Sequence, residues 1–156
     1  MGKGTKIKIV SKPEFNTFLD KNKWNDENIE VIPLAFISIN DTHGDWSVSW
    51  LLRDHPNVLR LWFDDVETDL ELSPTNKETC RAFTEDQAKQ VFEFIKENKD
   101  KNFLVHCSAG ISRSGAVGSF ILDYLEGDKE YFAEHNKHIH PNGHISRLLN
   151  KLAWEE

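Results

Sequence analysis

Cys107, Gly110 and Arg113 fall within one stretch, Phe103 to Gly118, that reads FLVHCSAGISRSGAVG. A thiol with a guanidinium six positions downstream and a glycine between them is suited to holding an oxyanion and attacking it. Phe103 to His106 read as a buried strand, and an apolar run resumes at Ala116. Strand, tight loop and helix therefore follow one another. In that order the N–H groups of the loop converge on one point, and the first turn of the helix adds its unpaired donors and positive dipole end. Helix start and guanidinium both favour the thiolate form of Cys107. Gly110 fits a backbone conformation or close approach that a side chain would obstruct.

The elements that must carry this loop are legible upstream and downstream of it. Ile7 to Val10 is a short strand. Ser11, Pro13 and Glu14 then supply a cap, a proline just inside a helix and a glutamate able to reach back, and Phe15, Phe18 and Leu19 share one face of that helix, which ends over Asp20 to Lys23. Val31 to Ile39 is the longest apolar strand signal, a central strand with Pro33 early in it. A polar turn, Asn40 to Asp45, follows. Asp41, His43 and Asp45 alternate along it; such residues cap turns more often than they bind metal, and a place on the pocket rim is their other reading. Trp46 to Arg53 reads as a short helical turn, and Val58 to Phe63 as a strand running into Asp64 and Asp65. Carboxylates beyond a strand's carboxyl end lie where α/β folds place chemistry.

Glu67 to Lys77 must loop out before Thr84 and Gln87 open a helix to about Glu97, with Ala88, Val91, Phe92 and Ile95 buried. A right-handed crossover then leads from the strand ending at Phe63 to the cysteine strand. Arg113 to Tyr124 is a central helix, Asp128 to Asn136 a shorter one, and after a turn at Pro141 a last helix buries Ile145, Leu148, Leu149 and Leu152. His135, His138, His140 and His144 crowd one polar segment without a strong zinc spacing. The expected fold is α/β, a central, mostly parallel sheet flanked by helices, in one domain spanning 1–156.

HCSAGISRSG resembles the Cys-x5-Arg phosphate-binding loop of the cysteine-dependent protein tyrosine phosphatases and dual-specificity phosphatases. It is nearer the loop of the tyrosine-specific members, apart from Ser112, where those usually have glycine. The resemblance implies a phosphatase-like fold and a phosphocysteine mechanism without cofactor or metal. Cys107 is then the nucleophile and Arg113 the phosphate clamp. Ser108, Ala109, Gly110, Ile111 and Ser112 line the oxyanion site, Ser114 assists departure of the cysteine, and His106 tunes the thiolate. The family takes its general acid from an aspartate upstream of the cysteine. Asp65 matches that position best, Asp64 is the alternative, and Asp69 and Asp41 are more distant candidates. The Trp-Pro-Asp signature of that acid is absent; Trp62-Phe63-Asp64-Asp65 stands nearest. Asn142 is the residue to examine for a role in positioning water.

Ala109 and Ile111 are uncharged, where phosphoinositide-directed members carry basic residues. The expected substrate is therefore a phosphorylated protein or peptide, with phosphotyrosine foremost and phosphoserine or phosphothreonine open. A phosphate-recognising binding module and an RNA 5′-phosphatase are the alternatives, and a sulfurtransferase is a third. Nineteen basic against 26 acidic residues give a formal charge of −7, which argues against a nonspecific nucleic-acid binder. Cys80 and Cys107 form no disulfide framework; Cys80 reads as a structural thiol or a redox partner of Cys107. Reduced Cys107, the weak apolar start and the lack of any long apolar run suggest a cytoplasmic protein with no membrane partner.

Overall fold

A computed structural model of the chain describes residues 4–42, 51–66, 70–71 and 79–155. Strand β1 (Ile7–Val10) leads through Ser11 into helix α1 (Lys12–Asn22). The Ser11 side chain accepts from Glu14 N–H while Glu14 accepts from Ser11 N–H, a reciprocal cap that fixes the helix start immediately beyond the strand. Strands β2 (Leu34–Asn40) and β3 (Val58–Trp62) follow, then β4 (Leu70–Glu71) and β5 (Thr79–Cys80). Helix α2 (Glu85–Glu97) carries the same reciprocal cap between Thr84 and Gln87. Strand β6 (Asn102–His106), helix α3 (Arg113–Tyr124), helix α4 (Lys129–His135) and helix α5 (Gly143–Trp154) complete the chain.

Strands β1, β6, β2 and β3 lie in that order in one wholly parallel sheet, so the mostly parallel sheet expected of the sequence is present. Val10 and Ser38 both stand opposite His106 in the register. Strands β1 and β6 therefore end level just before Cys107, while β2 runs on past them to Asn40. Alternate side chains go to opposite faces, as the period of a strand requires. Ile7, Ile9, Ile37, Phe103 and Val105 pack with Ala88, Val91, Ala116, Val117, Ile121 and Leu149 from the helices, while Val10, Phe36, Val58 and Leu104 pack with Phe15 and Leu19 of α1. Each fully buried side chain of this size contributes about 1.5–3 kcal/mol. Gly118 lets α3 ride close on β1: a Cβ there would lie 2.5 Å from Ile9 Cδ1.

The structure bears on four local expectations. The apolar run does not begin a strand at Val31, because Ile29–Val31 forms a 3₁₀ turn with Val31 N–H and Ile32 N–H bonded back to Asn28 and Ile29. Val31 is left 82% exposed, and the strand starts only after Pro33, which has no N–H for a ladder. The segment expected to loop out after Glu67 contains β4, paired antiparallel with β5. The crossover from β3 to β6 passes β2, which lies between them in the sheet. Of the helical turn expected at Trp46 to Arg53, residues 46–50 lie outside the described residues, and Leu51 to Arg53 are not helical.

A buried imidazole ties the β2–β3 connection to the segment before β2. His55 Nε2 lies 2.8 Å from Asp26 Oδ1, and Nδ1 2.6 Å from Glu30 Oε2. Burial works against the imidazolium, but the hydrogen bonds and charges of Asp26 and Glu30 outweigh it and hold the His55 pKa above 6.5. Burial likewise pushes Asp26 up, yet His55 and the N–H groups of Leu52 and Arg53 prevail and pull it below 3.8. A raised histidine contributes its full stability below pH 6.5 and loses it as pH climbs through the folded value; Asp26 loses its own share only on acidification below 3.8. Melting temperature is therefore expected to fall as pH rises from about 6.5 to 9. His55→Gln should flatten that decline, and an unchanged slope in the variant would remove His55 as its cause.

Candidate active site

The loop between β6 and α3 is gripped from two sides. On one, Ser108 C=O accepts from Lys12 N–H at 3.1 Å. Gly110 takes φ +73°, and a Cβ there would lie 2.5 Å from the Val10 carbonyl carbon and 2.6 Å from Ser11 N. No L side chain fits that space or that dihedral without displacing backbone. On the other side, Ile111 C=O accepts from His140 N–H at 2.9 Å and Ser112 C=O from Asn142 N–H at 3.1 Å. Residues 140–142 thus form the second jaw. Ala109 and Ile111 are exposed at the loop surface, Ser108 and Ser112 are half-buried, and Arg113 and Ser114 are buried.

Cys107 is 2% exposed. Its Sγ lies 3.2 Å from Gly110 N, which donates to it, and 3.0 Å from Ser114 Oγ. Toward a thiolate the Ser114 hydroxyl is the donor, so two donors converge on the sulfur. Behind it, His106 is fully buried, its ring tilted 35° against Phe15 at a centroid distance of 4.2 Å, with Nδ1 3.1 Å from Cys107 C=O and Nε2 2.6 Å from Ser38 Oγ. A carbonyl only accepts, so Nδ1 is the nitrogen that donates to Cys107 C=O, and Nε2 shares its hydrogen bond with the Ser38 hydroxyl. Ser38 gave no distinct signal in the sequence beyond being the one hydroxyl within an apolar strand.

Arg113 Nη1 donates to Phe63 C=O and to Asp41 Oδ1, both at 2.8 Å. Asp41 Oδ2 accepts from Ser108 Oγ at 2.8 Å. The two carboxylates after β3 have different surroundings. Asp64 is 6% exposed and its carboxylate is taken up by Thr42 N–H, the Thr42 hydroxyl and Arg81 N–H. Asp65 is exposed and lies against the loop, its Oδ1 accepting from Ser112 Oγ at 2.9 Å and from Asn142 Nδ2 at 2.8 Å. Asn142 also caps α5, accepting from Ile145 N–H at 3.1 Å. One amide therefore fixes a helix start and a carboxylate together. His135 is turned onto Tyr131 C=O, and His144 Nε2 lies 2.8 Å from Phe83 C=O. His43, Asp45 and Asp69 lie outside the described residues. Cys80 sits in β5, and neither it nor Cys107 is in a disulfide.

The Gly110 N–H, the buried thiol and the tethered guanidinium are groups suited to hold a tetrahedral oxyanion above a sulfur. No helix among the described residues is long and apolar enough to cross a membrane.

No protein-family model matches the sequence, and no curated protein matches it. Solved structures do. A human tyrosine phosphatase-like serine/threonine/tyrosine-interacting protein superposes with a TM-score of 0.54 at 18% identity, over 89% of this chain and 82% of that one. The Cydia pomonella PTP-2 phosphatase gives 0.54 at 19%, over 97% and 90%. Tk-PTP in its active form gives 0.52 at 14%, over 97% and 93%. At such identities the likeness is one of fold: the chain shares the α/β fold of these phosphatase and phosphatase-like structures, and it carries buried Cys107 and Arg113 at Cys-x5-Arg spacing.

Proposed function

We propose that the protein is a phosphoprotein phosphatase that hydrolyses phosphotyrosine through a phosphocysteine intermediate. The observation that carries this reading is the buried Cys107 Sγ between Gly110 N–H and Ser114 Oγ, at the foot of a loop that ends in Arg113. The thiolate attacks phosphorus in line; the S–P bond forms as the P–O ester bond breaks. Arg113 and the loop N–H groups of Ser108 to Ser112 hold the charge that spreads over the equatorial oxygens. Asp65 gives its proton to the departing oxygen, since a phenolate or alkoxide leaves poorly without one. Water then attacks the phosphocysteine and gives a proton to the Asp65 carboxylate. The S–P bond breaks and Cys107 leaves as a thiolate, with the Ser114 hydroxyl donating to it.

Support for Asp65 over Asp64 is that its carboxylate is exposed and bonded to Ser112 and Asn142, whereas that of Asp64 is occupied by backbone N–H groups. Uncharged Ala109 and Ile111 favour a protein substrate over a polyanionic headgroup. None of these steps requires a metal. Phosphotyrosine, phosphoserine and phosphothreonine peptides assayed with EDTA present test the class. The expected result is turnover of the tyrosine peptide. No turnover by the folded, reduced protein with phosphopeptide still bound would overturn the enzyme reading in favour of a binding module.

A further inference from the structure

Arg113 and Ser108 stand at opposite ends of the oxyanion loop, yet one carboxylate holds both. Asp41 Oδ1 accepts from Arg113 Nη1 at 2.8 Å, and Asp41 Oδ2 accepts from Ser108 Oγ at 2.8 Å. Asp41 directly follows β2, the strand whose Ser38 stands opposite His106 in the register, so it lies at the same end of the sheet as Cys107. Among the described residues, both bonds that the guanidinium makes use Nη1, the second going to Phe63 C=O at 2.8 Å. That leaves the Nε and Nη2 edge, the planar fork that grips two oxygens of one phosphate, for a ligand. A flexible four-bond side chain held in this way is already in its binding conformation. We infer that Asp41 is a positioning residue of the site, a brace that fixes Arg113 for two-pronged oxyanion binding and pins the entry of the loop through Ser108.

The inference rests on the reading of this loop as a phosphate site. It also has a cost that gives it a signature. A carboxylate on the guanidinium offsets part of the positive charge that attracts a dianion, so Asp41 trades electrostatic attraction for geometry. Removing the brace and removing only its charge should therefore act in opposite directions on anion affinity. Asp41→Ala loses both bonds; Asp41→Asn keeps an acceptor for Arg113 and a polar partner for Ser108 while discarding the charge.

Tungstate binding by titration calorimetry, beside steady-state hydrolysis of a phosphotyrosine peptide, reads this directly. Asp41→Ala is expected to weaken tungstate roughly tenfold and to lower kcat/KM about 10²-fold, chiefly in kcat. Asp41→Asn should bind tungstate as tightly as wild type or more so, and recover most of kcat. Asp41→Asn as weak as Asp41→Ala, or both equal to wild type, would overturn the role of Asp41 alone. A wild type that binds no tungstate would instead overturn the phosphate-site reading. Should Asp41→Ala not fold, Ser108→Ala removes one arm of the brace and must weaken tungstate while Asp41→Asn does not.

Discussion

Cys107→Ser is expected to abolish hydrolysis, by on the order of 10⁴–10⁶ in kcat, while phosphopeptide still binds. The two halves of this outcome have separate causes. A serine hydroxyl stays protonated at neutral pH, and among the described residues the groups bonded to Sγ are the Gly110 N–H and the Ser114 hydroxyl, both suited to donate and neither a base. The binding half survives because the loop is held by backbone bonds to Lys12, His140 and Asn142, none of which involves the sulfur. Single-turnover assays with a phosphotyrosine peptide, and calorimetry with the same peptide, check the two halves. Retained turnover would require a different nucleophile, and lost binding in a folded variant would mean that the thiolate itself organises the anion site.

Asp65→Asn is expected to lower kcat by about 10²–10⁴, with the larger loss on a phosphotyrosine peptide and the smaller on an aryl phosphate whose leaving group needs no proton. An asparagine keeps an acceptor for Ser112 and Asn142, so the loop should hold its place and KM should change little. Asp64→Asn is the contrasting variant. Its carboxylate takes up Thr42 N–H and Arg81 N–H at 3.1 and 2.7 Å in a buried setting. Exchanging one acceptor oxygen for an amide there opposes donor to donor, at a stability cost of about 1–3 kcal/mol. Loss of activity should then follow loss of folding, read as a lower melting temperature with kcat of the folded fraction preserved. The reverse pattern, an inactive but stable Asp64→Asn and an active Asp65→Asn, would exchange the roles of the two aspartates.

Local signals carried much of the fold. The caps at Ser11 and Thr84 are written in residues three apart, and the strand, loop and helix around Cys107 are contiguous, so periodicity and capping suffice to read them. The Cys107 to Arg113 spacing is equally local. What could not be read was held by distant partners. Ser38 acquires meaning only from His106, Asp41 only from Arg113 and Ser108, and the jaw formed by His140 and Asn142 only from the loop it grips. Val31 differs for a related reason: the turn that takes it out of the strand has carbonyls held by distant Asn57, whose side-chain amide donates to Ile29, Ile32 and Leu34 C=O.

The place of β1 bears on how the chain is made. Among the described strands its sheet neighbour is β6, and Lys6 and Asn102, joined at the start of that pair, are 96 positions apart. At roughly 5–20 residues per second, a ribosome needs about 5–20 s to supply the partner. Throughout that interval Ile7, Ile9 and Val10 have no native ladder to join, and a short apolar strand left open is a template for intermolecular pairing. Lys6 and Lys8 interrupt the run at alternate positions. Like charges on two such strands repel, so these lysines act as gatekeepers for the nascent chain, protecting the segment on which the Cys107 loop will later rest.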